Sequence, residues 1–387
     1  MSFNPNNVNL NVLRERAYNL RWAAQPEGVI PLTAADPDFE CSDLIVRSIN
    51  EYIGEGYFSY SPAEGLPEFK QAMHDFLLEK RDFYIDPHLI LPVNSAAFGI
   101  HLVCKTFLKP GDEAIIFDPV DFLFQYSIRE VGGTAVRFPI AADQRSVDFD
   151  AMKPLITSRT KLICLCNPLN PTGKVFTAEE LIQLGEIAIE HDLIILSDEI
   201  WSDIVFDPNR FVSIGGLSKL ISEKVVLVTG FSKSYGLAGL RIGVVATSNE
   251  ILFDKLFKNS LHESTINGVS SLGQIAAKAA LENGQSWLDS FLLHLTEMRD
   301  LVTNSVNQIS GLKAVSPDGC YVSLIDIRDT RMSSEQFQQL VLNKAKVALV
   351  PGLSEWFGPG AEGYVRLSFA TSKEILEEAL HRIKKEI

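Results

Sequence analysis

Residues 232–243 read Ser-Lys-Ser-Tyr-Gly-Leu-Ala-Gly-Leu-Arg-Ile-Gly and follow closely on the apolar run 225–228. The apolar run predicts a strand that delivers Lys233 to the edge of a sheet, and Arg241 returns beside it across a Gly/Ala turn. A lysine in such a place can form a Schiff base with a carbonyl compound, and an arginine can neutralise a phosphate. Pyridoxal phosphate (PLP) carries both groups. The alternative is an exposed lysine and arginine that flank a glycine-rich loop.

Two further segments place polar side chains after predicted strands. The run 161–166 leads into Asn167-Pro-Leu-Asn170-Pro-Thr-Gly, a turn that carries two amides, and the run 193–197 leads into Asp198. Ligands of open α/β sheets bind beyond the carboxyl ends of the strands. A buried carboxylate there suits a cationic partner, and a protonated pyridine nitrogen is one.

These segments together resemble the class I/II aminotransferases, the fold-type-I PLP enzymes, along almost the whole chain. The resemblance implies that Lys233 is the Schiff-base lysine and that Asp198 partners the pyridine nitrogen. It places Asn170 at the 3'-oxygen of the cofactor. In the segment 364–370, Arg366 matches the residue that binds the substrate α-carboxylate, for which a planar guanidinium is suited. Read without the family, Arg366 would be an ordinary residue of a short strand.

The same resemblance implies a phosphate site at a helix N-terminus, where backbone amides face an anion. The residues assigned to it are Ser95, Ala96, Ala97, Ser232 and Arg241, and Ala35 and Asn170 are assigned to substrate binding beside Arg366.

Among the chain's departures from the family pattern, two concern the cofactor ring and its 3'-oxygen. Asp121 stands where an aromatic residue normally stacks on the ring, so Phe122 is predicted to replace it. Trp201 stands where a tyrosine is expected. An indole donates a hydrogen bond but does not ionise, so we still expect Trp201 to contact the 3'-oxygen.

The N-terminal segments 19–22, 34–40 and 54–62 resemble the cystathionine β-lyase-like branch of carbon–sulfur lyases. In this fold type, the tyrosine that matches Tyr60 reaches the phosphate of the neighbouring subunit, which implies a homodimer with shared active sites. Read without the family, Tyr60 packs locally in its loop.

Composition narrows the class of protein. A net charge of −14 argues against a nucleic-acid partner, because phosphate backbones require surplus cations. The five cysteines lie mostly in apolar runs, which favours reduced thiols in the cytoplasm. The N-terminus lacks a basic-then-apolar leader, and the histidines lack metal-ligand spacing, so neither a membrane anchor nor a metal is expected.

Apolar runs alternate with helical patterns as far as about residue 267, which predicts a mostly parallel sheet covered on both faces. Thr177-Ala-Glu-Glu180 is a capping box that predicts the start of one of these helices. Beyond residue 267 the pattern is helical at first, and it then predicts strands near 320–327, 348–351 and 364–368 and a final helix over 373–385. The resemblance implies the α/β architecture of PLP-dependent transferases of fold type I, with a seven-stranded type of sheet and a smaller α+β domain. We expect a large PLP-binding domain over 46–286 and a small domain formed by 1–45 and 287–387.

Three functions follow from these observations. The leading one is a PLP-dependent aminotransferase that moves an amino group between an amino acid and a 2-oxo acid. The second is β-elimination from a cysteine-derived substrate by a lyase. The third is a regulatory protein that kept the fold and lost the activity.

Overall fold

The computed structural model describes residues 3–141 and 143–387, so Met1 and Ser2, with which the polar N-terminal segment begins, lie outside the described residues. The central element is a seven-stranded sheet in the order β2-β8-β7-β6-β5-β3-β4. Its strands are β2 (Ile90–Val93), β3 (Glu113–Asp118), β4 (Thr134–Pro139), β5 (Thr160–Cys166), β6 (Ile194–Asp198), β7 (Val225–Gly230) and β8 (Gly243–Ala246).

The sheet is mostly parallel, as the sequence predicts. Strands β7, β6, β5, β3 and β4 run parallel, whereas β8 is antiparallel to both of its neighbours. Every residue of β2, β3 and β8 is buried, so both faces of the sheet are covered. This confirms the α/β class and explains why these strands are continuous apolar runs in the sequence.

Smaller sheets surround the central one. A four-stranded antiparallel sheet runs in the order β12-β13-β10-β9, and β1 pairs with β11. These strands are β1 (Ile30–Pro31), β9 (Lys313–Ala314), β10 (Val322–Asp326), β11 (Val347–Ala348), β12 (Val350–Pro351) and β13 (Tyr364–Ser368). The β1–β11 pair joins the N-terminal segment to the C-terminal part of the chain.

The helices cover the sheets. They are α1 (Leu10–Glu15), α2 (Asp43–Gly54), α3 (Pro67–Arg81), α4 (Ala96–Phe107), α5 (Phe122–Glu130), α6 (Ala178–Glu190), α7 (Lys219–Ser222), α8 (Glu250–Ser260), α9 (Ser271–Asn283), α10 (Gln285–Val306), α11 (Ser334–Leu340) and α12 (Lys373–Glu386). Helix α4 packs on β6, β7 and β8, and α5 packs on β3 and β4. Within the described residues, no helix is long and apolar enough to cross a bilayer.

The start of α6 follows its sequence signal. Thr177 caps the helix, and the Thr177 and Glu180 side chains each bond the backbone N–H of the other residue, which is the predicted capping box. The domain boundaries at residues 45/46 and 286/287 stay a prediction.

Candidate active site

A cavity of about 570 Å³ opens at the carboxyl ends of β5, β6 and β7. Its wall includes Cys166 and Asp198, the last residues of β5 and β6, and Lys233, which follows β7. Parallel strands end at one edge of a sheet, so side chains that are far apart in sequence meet there. Twelve residues that the sequence predicts for the site line this one cavity: Ala35, Ser95, Ala96, Ala97, Phe122, Asn170, Asp198, Trp201, Ser232, Lys233, Arg241 and Arg366.

Lys233 presents its amine to the cavity. Its Nζ donates a hydrogen bond to the carbonyl of Ala35 at 2.6 Å and lies 5.3 Å from the centre of the Trp201 ring. Burial lowers the pKa of Lys233, while the carboxylates of Asp36 and Asp121 act in the opposite direction. A lowered pKa increases the fraction of neutral amine, which is the nucleophilic and basic form.

Asp198 places a buried carboxylate on the cavity wall. It accepts a hydrogen bond from the backbone N–H of Ile200 at 3.2 Å. Burial raises the pKa of Asp198 to about 7. Since a bound cation would lower this pKa, the site suits a ligand group that carries a positive charge, such as a protonated ring nitrogen.

The N-terminus of α4 forms the anion-binding end of the cavity. The hydroxyl of Ser95 caps the helix by accepting from the N–H of Phe98 at 3.1 Å, and the first turn holds no acidic residue. Ala96 and Ala97 open the helix, where backbone N–H groups lack intrahelical partners. Arg241 lines the same cavity and its side chain is exposed, so it is free to meet an anion. A phosphate group fits this donor set.

Gly243 has a structural role that sequence reasoning missed. A Cβ atom at this position would lie 2.5 Å from the backbone nitrogen of Ala96. Strand β8 therefore packs directly against the start of α4, and any side chain at position 243 would displace the anion-binding turn. The sequence signal for this close packing was a glycine two residues after Arg241.

Arg366 lies on β13 and is buried at the cavity wall. Its Nη1 donates to the amide oxygen of Asn170 at 3.0 Å, and its Nη2 donates to the carbonyl of Thr33 at 2.9 Å. Its Nε is buried without a hydrogen-bond partner among the described residues. An incompletely bonded buried guanidinium suits a carboxylate ligand, which accepts two parallel hydrogen bonds.

Asp121 completes a polar chain that the sequence did not predict. Its carboxylate accepts from the side-chain amide of Asn170 at 2.8 Å and from the N–H of Leu123 at 3.2 Å. Burial raises the pKa of Asp121, and the charge of Arg366 opposes that rise. Asn170 thus bridges the Asp121 carboxylate and the Arg366 guanidinium. The carboxylate fixes the amide, because an ionised carboxylate only accepts hydrogen bonds.

Two aromatic residues on the cavity wall have partners of their own. Trp201 is buried and meets the Tyr321 ring edge-on, with the ring centres 4.6 Å apart. Phe122 meets Trp356 edge-on, with the ring centres 5.3 Å apart. Within the described chain, Tyr60 is the predicted site residue that does not line the cavity, and it is 92% exposed.

No site role was predicted from the sequence for several other lining residues, which are Leu20, Thr33, Ala34, Leu349, Val350, Pro351, Trp356 and Phe357. Leu20 and Ala34 lie in the segments 19–22 and 34–40, but the resemblance of those segments assigned them no contact. Their place beside β5 and β6 depends on the whole fold, because they come from distant parts of the chain.

Comparisons with known proteins agree with this geometry. Residues 27–383 match the family model described as aminotransferase class I and II. An aspartate aminotransferase from Pyrococcus abyssi is 33% identical over 369 residues, which covers 94% of this chain and 92% of that protein.

Solved structures share the whole architecture. The aromatic aminotransferase from Pyrococcus horikoshii OT3 matches with a TM-score of 0.87 and 31% identity, covering 93% of this chain and 96% of that one. A PLP-bound crystal structure from Clostridium difficile 630 matches with a TM-score of 0.88 and 26% identity, covering 96% of this chain and 95% of that one.

Proposed function

Because this chain belongs to the class I and II aminotransferases, it is a PLP-dependent transaminase, and we propose the following role for each residue of its cavity. PLP supplies an aldehyde that joins amino groups and a ring that withdraws electrons from the bond to be broken. The observation that carries the assignment is the meeting of Lys233, Asp198 and Arg366 in one cavity.

Lys233 is the residue that would hold the cofactor through its aldehyde and then act as the base. With its amine free, Nζ would take the proton from the Cα atom of the amino acid and hold it for return. The lowered pKa of Lys233, caused by burial, supports this role, because a base must be neutral to accept a proton.

The remaining residues bind and orient. Asp198 holds the protonated ring nitrogen, and its buried position supports this assignment. Asn170 and Trp201 would hold the 3'-oxygen, and Phe122 would pack beside the ring. The phosphate is held by Ser95, Ala96, Ala97, Ser232 and Arg241. Arg366 binds the substrate α-carboxylate, and Ala35 contributes its carbonyl to the substrate side of the site.

We propose that the protein works as a cytoplasmic homodimer in which Tyr60 contacts the phosphate of the partner subunit's cofactor. The exposure of Tyr60 in a single chain supports this proposal. The five cysteines are free thiols, which supports a reducing compartment. We also propose that residues 46–286 form the large domain, and 1–45 with 287–387 the small one.

Mutation of Lys233 tests the central role. Lys233→Ala is expected to bind PLP without a covalent link and to lose turnover by at least about a thousandfold, because the base is gone. Lys219→Ala removes a lysine from the start of α7 and serves as the control. Absorbance in the near-visible and keto-acid formation are the measurements. Near-normal turnover of Lys233→Ala would refute the assignment.

A second assay separates transamination from β-elimination. The enzyme is given cysteine or cystathionine without any keto acid. A transaminase converts its cofactor once and then stalls. Sustained release of pyruvate and ammonia over many turnovers would instead identify the lyase.

A further inference from the structure

The side-chain end of the cavity is apolar. Phe122 and Trp356 form an edge-to-face pair on its wall, and Leu20 and Val350 line the same space. Leu20 is 73% exposed and Trp356 is 40% exposed, so these two residues present apolar surface to solvent. Apolar surface of this kind is covered favourably by an apolar ligand group.

The basic residues of the cavity are assigned to groups other than the substrate side chain. Within the described part of the chain, the basic residues that line it are Lys233, Arg241 and Arg366. Under the proposed function they serve the cofactor aldehyde, the phosphate and the α-carboxylate. Within its described residues, one subunit therefore leaves no cation of its own on this wall for a second carboxylate on the substrate.

Asp121 adds a repulsive element. Its carboxylate lines the cavity and is separated from the Arg366 guanidinium by the Asn170 amide alone. A substrate whose α-carboxylate sits on Arg366 brings its side chain into the same small space. The Asn170 amide and the Leu123 N–H donate to Asp121, and the charge of Arg366 lies near it, and these contacts favour its ionised form against the effect of burial. A carboxylate on the substrate side chain would meet that negative charge at low dielectric, where repulsion is strong.

We propose that the enzyme prefers amino acids with apolar side chains, aromatic ones in particular, and that Asp121 discriminates against dicarboxylic amino acids such as aspartate. This inference rests on the proposed function and specifies its substrate class. Specificity of this kind combines an attractive element, the Phe122–Trp356 wall, with a repulsive one, the charge of Asp121.

The test is the half-reaction of the PLP-loaded enzyme, followed by the loss of cofactor absorbance, with phenylalanine or aspartate as the sole substrate. The half-reaction needs no keto acid, so the charge of a keto acid does not affect the measured rate. We expect the second-order rate constant for phenylalanine to exceed that for aspartate by about tenfold or more. Asp121→Asn should raise the aspartate-to-phenylalanine ratio by about tenfold. Both substrates have an α-carboxylate, so a change in its binding caused by the substitution affects both rate constants and cancels in their ratio.

Glu355→Gln is the matched control, because it removes the same charge from an exposed residue beside Trp356 that does not line the cavity. It should change the ratio by less than about twofold. Trp356→Ala should lower the rate constant for phenylalanine more than the rate constant for aspartate, because only phenylalanine covers the apolar wall.

The outcomes separate the two proposals. A wild-type preference for aspartate, or a ratio that Asp121→Asn leaves unchanged, overturns the substrate assignment while the aminotransferase reaction stands. If neither phenylalanine nor aspartate converts the cofactor, the proposed function fails and this inference fails with it.

Discussion

Asp198 and Glu199 are neighbouring acids in which burial raises the pKa to about 7, yet their surroundings differ. Asp198 lines the cavity. Glu199 faces away from it, where the hydroxyls of Ser197 and Ser213 each donate to its Oε1 at 2.9 Å. The serines satisfy Glu199 within the protein, whereas Asp198 is left to meet a ligand. A raised pKa alone therefore does not identify the functional acid.

Asp198→Asn should lower PLP affinity and turnover by roughly a hundredfold or more, because it removes the charge that stabilises a protonated ring nitrogen. Glu199→Gln is the matched control, since it neutralises the adjacent acid and keeps an acceptor for both serines. It should leave turnover within about threefold. Cofactor titration by absorbance and steady-state rates measure both effects. Equal losses in the two variants would contradict the assignment.

The stability of the cofactor-free protein should depend on Asp198 and pH. The folded pKa of about 7 lies above the ordinary value of 3.8. Between these values the folded state keeps the proton and the unfolded state releases it, so this contribution to stability is lost as pH rises from about 4 to about 7. Asp198→Asn has no such proton. We therefore expect the variant to exceed wild type in stability at pH 8.

Urea unfolding of both cofactor-free proteins at pH 8 and pH 5 provides the measurement. The advantage of Asp198→Asn should shrink at the lower pH, because the wild-type acid is then protonated in the folded state. A pH-independent difference would show that the carboxyl is not buried in its neutral form.

At the residue scale the sequence predicted twelve of the residues that line the cavity. Asn170, Asp198 and Lys233 were predictable because each follows an apolar run and carries chemistry typical of a known family. The role of Asp121 could not be predicted in this way. Its position in the sequence only showed that an expected aromatic residue was missing. Its partners, Asn170 and through it Arg366, come from segments about 50 and 250 residues away, and only the folded chain places them together.

At the scale of elements, one buried side chain anchors the segment that bonds Lys233 and Arg366. Arg21 donates to the carbonyl of Pro31 and to the carbonyl of Asp36, and it forms a buried ion pair with Asp38. These contacts bracket residues 33–35. The carbonyls of that short stretch accept hydrogen bonds from Arg366 and Lys233.

Arg21→Met should therefore destabilise the protein by about 3–5 kcal/mol, because it leaves the Asp38 charge buried and unpaired. It should also raise the KM for the amino acid, since Arg366 loses a fixed partner. In the double variant with Asp38→Asn, the unpaired buried charge is removed. This variant should regain much of the stability while its KM stays raised. Denaturant unfolding and initial rates measure the two effects. If Arg21→Met alone is as stable as wild type, the Arg21–Asp38 ion pair does not anchor this segment.

The predicted elements match the structure where the pattern is local. The strand predicted over 364–368 is β13, and the helix predicted over 373–385 is α12. The strand predicted over 348–351 is instead two short pieces, β11 and β12, that pair with different sheets. The reversed direction of β8 was not predictable either, because direction depends on the path of the chain between strands.

At the scale of the whole molecule, a single chain leaves an aromatic surface uncovered. Tyr57, Phe58 and Tyr60 are 78%, 65% and 92% exposed, and they follow one another closely after α2. Three neighbouring exposed aromatics are typical of a surface that another protein covers. A second copy of this chain is the expected partner, because closed two-fold dimers are the commonest soluble oligomers.

We therefore expect light scattering to give the mass of a dimer at working concentrations. Tyr60→Phe should lower PLP affinity about tenfold without dissociating the dimer, because it removes a hydroxyl donor from the partner's phosphate while keeping the ring. Tyr84→Phe is the control, since Tyr84 is 61% exposed on another part of the chain. A monomer with full activity would refute the shared site. A dimer in which Tyr60→Phe and Tyr84→Phe bind PLP equally well would keep the assembly and exclude Tyr60 from the phosphate, since a hydroxyl that contacts the cofactor cannot be lost without effect.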